Sequence, residues 1–167
     1  MLSKSLKFII ISLALVSISC QDEAVYFSKY QSFPESWPKE VPAEFSFEAP
    51  DTTEVYDVFV MLRNTQDYAY RNLFLISDIN FPNGKVIVDT LEYEMAYPNG
   101  ELMGQGFGLK TNKLWLKQGV KFTETGNYKV NIKHAMRAFG EINGLDSLQG
   151  ITDVGLRIEK QNQENDN

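Results

Sequence analysis

With one cysteine, one histidine and no run of basic residues, this 167-residue chain is short of the side chains on which most chemistry depends. A lone cysteine, Cys20, excludes an internal disulfide, so the fold must hold by core packing alone. The 16 Lys and Arg face 22 Asp and Glu, for a net charge of −6, and no cationic patch interrupts them. That balance excludes nucleic acid as a partner. No stretch sustains a helical period, and no repeat of solenoid length occurs. The N-terminal apolar run, Phe8 to Ile18, is too short to cross a bilayer as a helix. No Gly-x-Ser-x-Gly elbow marks a serine hydrolase.

What is present begins with that run. Lys4 and Lys7 precede it, and small residues lead into Cys20, the layout of a secretory signal that ends on a cysteine. Val16-Ser17-Ile18-Ser19-Cys20 resembles the lipobox of bacterial lipoproteins, in which signal peptidase II cuts before a cysteine that carries diacylglycerol. Ser17 stands where that motif usually has leucine. The resemblance implies a cell-envelope protein held at the outer membrane by acyl chains on Cys20, with either membrane face open to it. Loss of Lys4 and Lys7 leaves 14 basic residues against 22 acidic, near −8. Attachment then rests on the acyl chains, at about 0.8 kcal/mol per buried methylene, and not on charge.

Four segments follow from composition: a signal peptide over 1–19, a tether over 20–42, a domain over 43–160 and a polar tail over 161–167. Pro34, Pro38 and Pro42 punctuate the tether, while Tyr26, Phe27, Tyr30, Phe33 and Trp37 suggest that part of it docks on the domain. Beyond Glu44 the chain reads as short strands between turns. Val55 to Leu62 is apolar except for Asp57, as in a strand buried on both faces. Leu73, Leu75, Ile79 and Phe81 share one face of the next strand. Phe81-Pro82-Asn83-Gly84 then turns the chain into a return strand carrying Ile87, Leu91, Tyr93 and Met95 on one side. Leu114 to Leu116, Tyr128 to Lys133 and Val154 to Glu159 supply further strands, and His134 to Phe139 reads as a helical turn. The expected fold is an all-β antiparallel sandwich, with the jelly roll as one form of it.

Several strings carry a wider likeness: Tyr70-Arg71-Asn72-Leu73-Phe74-Leu75, Asp89-Thr90-Leu91-Glu92-Tyr93-Glu94-Met95-Ala96, Pro98-Asn99-Gly100 and Asn112-Lys113-Leu114-Trp115. With the closing Gly150-Ile151-Thr152-Asp153-Val154-Gly155-Leu156-Arg157-Ile158-Glu159-Lys160, the pattern resembles the gliding motility lipoprotein family of the GldH type, from Bacteroidetes. The resemblance implies an envelope lipoprotein whose partners are the proteins of a gliding or secretion apparatus. It implies no catalytic residues and no cofactor.

The residues themselves give no strong active site. His134, beside Lys133 and Arg137, is read as a packing or surface histidine at a strand end. Glu92 and Glu94, two apart, are the wet face of an amphipathic strand and not a glycosidase pair. Asp51, Glu54 and Asp57 lack the spacing of a calcium loop, and Gly104, Gly106 and Gly108 precede no helix that would make a phosphate cradle. Trp115 is expected in the core, with Leu114 and Leu116 on the other face. If exposed, it would instead favour a second function, a carbohydrate- or ligand-binding module. Arg63, Arg71, Arg137 and Arg157 each lie in or beside an apolar segment, as inter-strand ion pairs or as an interaction surface. Asp51-Thr52-Thr53, Asp89-Thr90-Leu91 and Asp146-Ser147-Leu148 resemble the O-glycosylation signal of Bacteroidetes. Thr52 and Ser147, in expected turns, are preferred over Thr90 in a strand. The sequence reads best as a non-catalytic scaffold or accessory lipoprotein.

Overall fold

The computed structural model describes residues 24–161. The signal peptide, Cys20, the first residues of the expected tether and the tail beyond Gln161 lie outside the described residues. The strands are β1 (Val25–Ser32), β2 (Trp37–Pro38), β3 (Ala43–Glu48), β4 (Tyr56–Asn64), β5 (Asn72–Asn80), β6 (Val86–Glu94), β7 (Lys110–Val120), β8 (Asn127–His134), β9 (Ser147–Leu148) and β10 (Ile151–Lys160).

They form two antiparallel sheets, in the orders β1-β10-β4-β7 and β3-β8-β5-β6, while β2 and β9 pair apart. Numbered in chain order without that short pair, the eight long strands read 1-8-3-6 and 2-7-4-5. That order is the jelly roll, two Greek keys wound into a sandwich. The all-β sandwich expected from the sequence is the fold observed, and the order selects its form.

Local chemistry explains the elements. Alternation in β3 buries Ala43, Phe45 and Phe47, and in β8 it buries Tyr128, Val130, Ile132 and His134. The β5–β6 hairpin closes where expected: Gly84 takes φ +87° and donates its N–H to the Phe81 carbonyl at 3.0 Å. Asn83 Oδ1 accepts the Lys85 N–H at 2.8 Å, which fixes the turn. β4 is buried on both sides, with Val58, Val60 and Leu62 in the core and Phe59 and Met61 facing outward under cover.

Two expectations change. The segment assigned to a tether contributes β1 and β2, because Val25 to Ser32 pairs along β10 and its prolines fall only after Ser32. The sandwich therefore starts near Val25, not at residue 43. At the other end, Lys160 still belongs to β10. The helical turn at 134–139 is absent: His134 ends β8, and Arg137 bridges Gly144 across a loop.

Antiparallel succession sends connections alternately to the two ends of the sandwich. One end holds the short links 49–55, 81–85 and 121–126. They are tied together, as in Ala49 N–H to the Gly126 carbonyl at 2.8 Å and Asn83 Nδ2 to Glu124 Oε1 at 2.6 Å. The other end holds 65–71, equal in length to 49–55, and the three longest connections, 33–42, 95–109 and 135–150. The chain enters at the short-link end, where the Lys160 N–H meets the Ala24 carbonyl at 2.7 Å.

Candidate functional site

Loops that tie off a sandwich are the usual place for function, because the sheets fix their roots. Here the long-loop end is built on a buried clip. Trp37 of β2 lies opposite Leu148 of β9 and is fully buried. Its ring stacks on Phe33 with centroids 5.5 Å apart and meets the His134 ring edge-on at 5.4 Å. Its indole N–H donates to the Val41 carbonyl at 2.9 Å. Next to the clip, Gly150 runs against the backbone of Tyr68, and the Thr65 N–H donates to the Gly150 carbonyl at 2.8 Å. The buried Tyr68 hydroxyl donates to the Asn72 carbonyl at 2.7 Å, and burial raises its pKa.

Above this base stand two loops with apolar tips. In 95–109 the Met103 N–H returns to the Met95 carbonyl at 2.8 Å, and Gln105 and Thr111 exchange backbone bonds of 2.9 and 2.7 Å. Phe107 projects from that loop fully exposed. Gly106 has φ +112°, and a Cβ there would lie 2.4 Å from the Leu109 carbonyl oxygen, so glycine is required for the turn. In 135–150 the buried Met136 offers its sulfur to the Phe74 N–H at 3.2 Å, and its carbonyl takes the Leu145 N–H at 2.8 Å. The excursion between these anchors exposes Phe139 completely and Ile142 to 89%. Val41, Tyr97 and Leu109 add exposed apolar surface at the same end.

A groove of about 650 Å³ runs under Phe139 on the outer face of the second sheet, lined by Phe74, Ile76, Thr90, Met136 and Arg137. A second hollow of about 430 Å³ shares Ile76, Met136 and Arg137 and brings in Lys39, Glu40 and Lys133. Three cations thus gather on a chain that is acidic overall. The end of the molecule therefore offers apolar tips, an apolar trough and a basic margin, a composition suited to holding another macromolecule.

His134 is buried in the clip, where its Nε2 lies 3.1 Å from the Trp37 carbonyl, and its Nδ1 has no partner. Burial lowers its pKa below the ordinary 6.5, helped by Lys39 and opposed by the Trp37 carbonyl. The folded state thus holds the ring neutral while the unfolded chain protonates it. Stability is expected to be full above pH 6.5 and to fall as pH drops below that value. The paired carboxylate Glu159 and the exposed Asp51, both with lowered pKa, begin to matter only below 4.5. Urea unfolding between pH 7 and 4.5 checks this: His134→Gln should flatten the dependence, and a flat wild-type profile would refute the assignment.

Asp51 binds the Thr53 N–H and hydroxyl, Glu54 pairs with Lys160 at 2.7 Å, and Asp57 accepts the Gly119 N–H at 2.9 Å, so the three acids serve separate local bonds. Glu92 and Glu94 are exposed on β6. The arginines do not form one surface. Arg63 stacks on Tyr30 with its guanidinium carbon 4.2 Å from the ring centre, and Arg157 pairs with Glu159, both on the first sheet. Arg71 borders a hollow at the long-loop end that shares Tyr70 with the Arg137 groove. Thr52 sits in an exposed turn, whereas Ser147 is half-buried in β9 with its hydroxyl bonded to that of Ser36, so it is not the open turn expected.

Trp115 is the clearest correction. It is 50% exposed, not core. The β4–β7 register sets it beside Phe59 on the outer face, ring centres 4.4 Å apart, and turns Leu116 inward. The loop tips Phe139, Ile142 and Phe107 were not singled out from sequence at all. Isolated apolar residues among glycines give no periodic signal, and only the topology shows that they share one end.

Fold and site together define a jelly-roll protein whose longest connections gather at one end of the sandwich. The GldH lipoprotein family matches residues 25–158, and the chain belongs to that family. It is 52% identical to "Gliding motility lipoprotein GldH homolog" of Christiangramia forsetii over 92% of this chain and 94% of that one. It is 46% identical to "Gliding motility lipoprotein GldH" of Flavobacterium johnsoniae over 91% and 94%. Among solved structures, a chain of infectious bursal disease virus, Gx strain, overlays at TM-score 0.37 and 12% identity, over 83% of this chain and 30% of that one.

Proposed function

We propose that this protein is an acylated envelope lipoprotein that serves gliding motility as a non-catalytic scaffold, holding a protein of the motility or associated secretion apparatus on its long-loop end. Two relatives that match over most of their length bear the gliding motility name, which supports the process. The mode rests on one observation: the exposed apolar tips Phe139, Ile142 and Phe107 gather at the end opposite the point where the chain enters the sandwich.

That polarity matters for an anchored protein. Cys20 precedes Val25 by five residues, a reach of at most about 17 Å. Strands of eight to ten residues then carry the chain about 30 Å to the far loops. Acyl chains on Cys20 would hold the short-link end at the membrane and present the contact loops away from it.

A second reading, glycan binding, is favoured by Trp115, whose half-exposed ring lies on the outer face of the first sheet with Lys113 and Glu159 ion-paired nearby at 2.6 Å. One experiment separates the two. Affinity purification from detergent-solubilised envelopes should recover a saturable protein partner with the wild type, and Phe139→Ser with Ile142→Ser should lose it. Equal recovery by the double variant, or no partner together with a saturable glycan-array signal lost in Trp115→Ser, would overturn the scaffold reading.

A further inference from the structure

The second sheet ends on β6, and that edge is bare. β5 and β6 pair over nine residue pairs without a bulge. Backbone bonds at the two ends of the hairpin set the alternation: Phe81 N–H to the Lys85 carbonyl at 2.8 Å, and Met95 N–H to the Arg71 carbonyl at 2.7 Å. Ile87, Asp89, Leu91 and Tyr93 therefore turn their backbone groups toward β5. Val86, Val88, Thr90, Glu92 and Glu94 turn theirs outward, and among the described residues no backbone bond reaches them.

The other three edges are guarded. β1 breaks register between Val25 and Phe27, and β7 breaks register twice against β4. The Trp115 carbonyl on β7 takes the Tyr93 hydroxyl at 2.6 Å. On β3, the Glu44 N–H donates to Gln31 Oε1 at 3.0 Å, and the Glu48 carbonyl takes the Tyr26 hydroxyl at 2.9 Å. β6 carries no bulge, proline or lysine; of the usual devices that keep an edge from pairing it has only acidic charge, with Asp89 turned inward to Lys117 at 2.9 Å and Glu92 and Glu94 exposed. Its outward row opens instead with Val86 at 51% and Val88 at 63% exposure. Beside it, on the same face, lies the apolar groove that Thr90 helps to line. An open edge with a side-chain groove next to it is the arrangement of strand addition, in which main-chain bonds give affinity and the groove gives selectivity.

We propose that β6 is a strand-addition site that takes an extended segment of the protein partner as the fifth strand of the second sheet. This rests on the reading of the molecule as a protein scaffold. The outward row also specifies the segment. An antiparallel strand, the more stable pairing, sets its first residues against Glu94 and Glu92 and its last against Val88 and Val86. It therefore carries alternate cations in its N-terminal half and alternate apolar residues in its C-terminal half. A second copy of this chain fits poorly. Self-pairing about Thr90 sets Glu92 and Glu94 opposite valines, and each copy is net acidic, so two copies repel.

The test uses the full chain in detergent micelles and a blocked nonapeptide with arginine at its first and third positions, valine at its seventh and ninth, and threonine elsewhere. Residue-resolved amide hydrogen exchange should show the amides of residues 86, 88, 90, 92 and 94 slowing together on saturation, while 87, 89, 91 and 93 are already slow. Glutamate in place of both arginines should weaken binding about tenfold. Val88→Pro removes an outward N–H and leaves the β5 ladder intact, so it should abolish binding while the inward amides stay protected. Absence of saturable binding, equal binding of the glutamate peptide, or undiminished binding by folded Val88→Pro would overturn the proposal. So would peptide-free, concentration-dependent protection of the same five amides, which would mean self-pairing. If the edge fails these tests while the Phe139 and Ile142 variant still loses its partner, strand addition falls and the scaffold reading stands.

Discussion

Gly150→Ala is expected to cost the protein about 4 kcal/mol, a large share of the roughly 5–15 kcal/mol that holds a domain together. Gly150 has φ +81°, and a Cβ there would lie 2.3 Å from the Tyr68 amide nitrogen, 2.6 Å from its Cα and 2.7 Å from the Asp67 carbonyl carbon. The left-handed conformation alone costs an L-residue about 1–2 kcal/mol. The clash adds more because every contacting atom is backbone, and backbone cannot swing aside. Relief requires the 65–71 connection to leave β10, which breaks the Thr65 to Gly150 bond of 2.8 Å. Gly84→Ala is the control: its φ is +87° and nothing lies within 4 Å of the added carbon, so only the conformational cost of about 1–2 kcal/mol applies. Urea midpoints of the two variants should differ clearly. Equal midpoints would show that the close approach at Tyr68 does not carry the cost.

Trp37→Ala should be nearly as damaging, at about 3–5 kcal/mol. The indole is fully buried, stacks on Phe33, meets His134 edge-on and donates to the Val41 carbonyl. Its removal leaves a cavity and an unmet acceptor inside the clip at the root of the long loops. Trp37→Phe keeps most of the volume and should recover much of the loss, leaving chiefly the missing indole bond. The check is thermal and urea unfolding of both variants. A loss below about 1 kcal/mol for alanine would mean that β2 and β9 are not part of the cooperative core.

Much of the sandwich was legible because its central strands obey simple periods. β5, β6 and β8 alternate cleanly, the Phe81-Pro82-Asn83-Gly84 turn has glycine where positive φ is needed, and β4 is too apolar to have a wet face. β1 was missed because its alternation is poor. Lys29 and Gln31 occupy positions on the inward side, and nearby prolines suggested a linker. Trp115 was misplaced because a three-residue apolar string cannot say which face is inside. The answer lies in pairing with Phe59, 56 positions earlier in the chain. The long-loop end was illegible for a deeper reason. Its loops come from four separated stretches, and only the jelly-roll winding brings 33–42, 65–71, 95–109 and 135–150 to one side. Hydrophobic periodicity reports faces of elements and carries no information about ends of a fold.

Gliding itself gives the most direct test of the scaffold with a distal contact end. In cells that depend on this protein, the chromosomal copy would be replaced by Phe139→Ser with Ile142→Ser, or by Trp115→Ser on the opposite sheet. All three strains would be compared at equal protein levels and equal membrane recovery, and the quantity measured is single-cell gliding speed on a wet surface. Loss of movement in the loop variant, with Trp115→Ser cells moving at wild-type speed, is the expected result. Wild-type speed in the loop variant, with arrest in Trp115→Ser, would contradict it and move the functional surface to the first sheet.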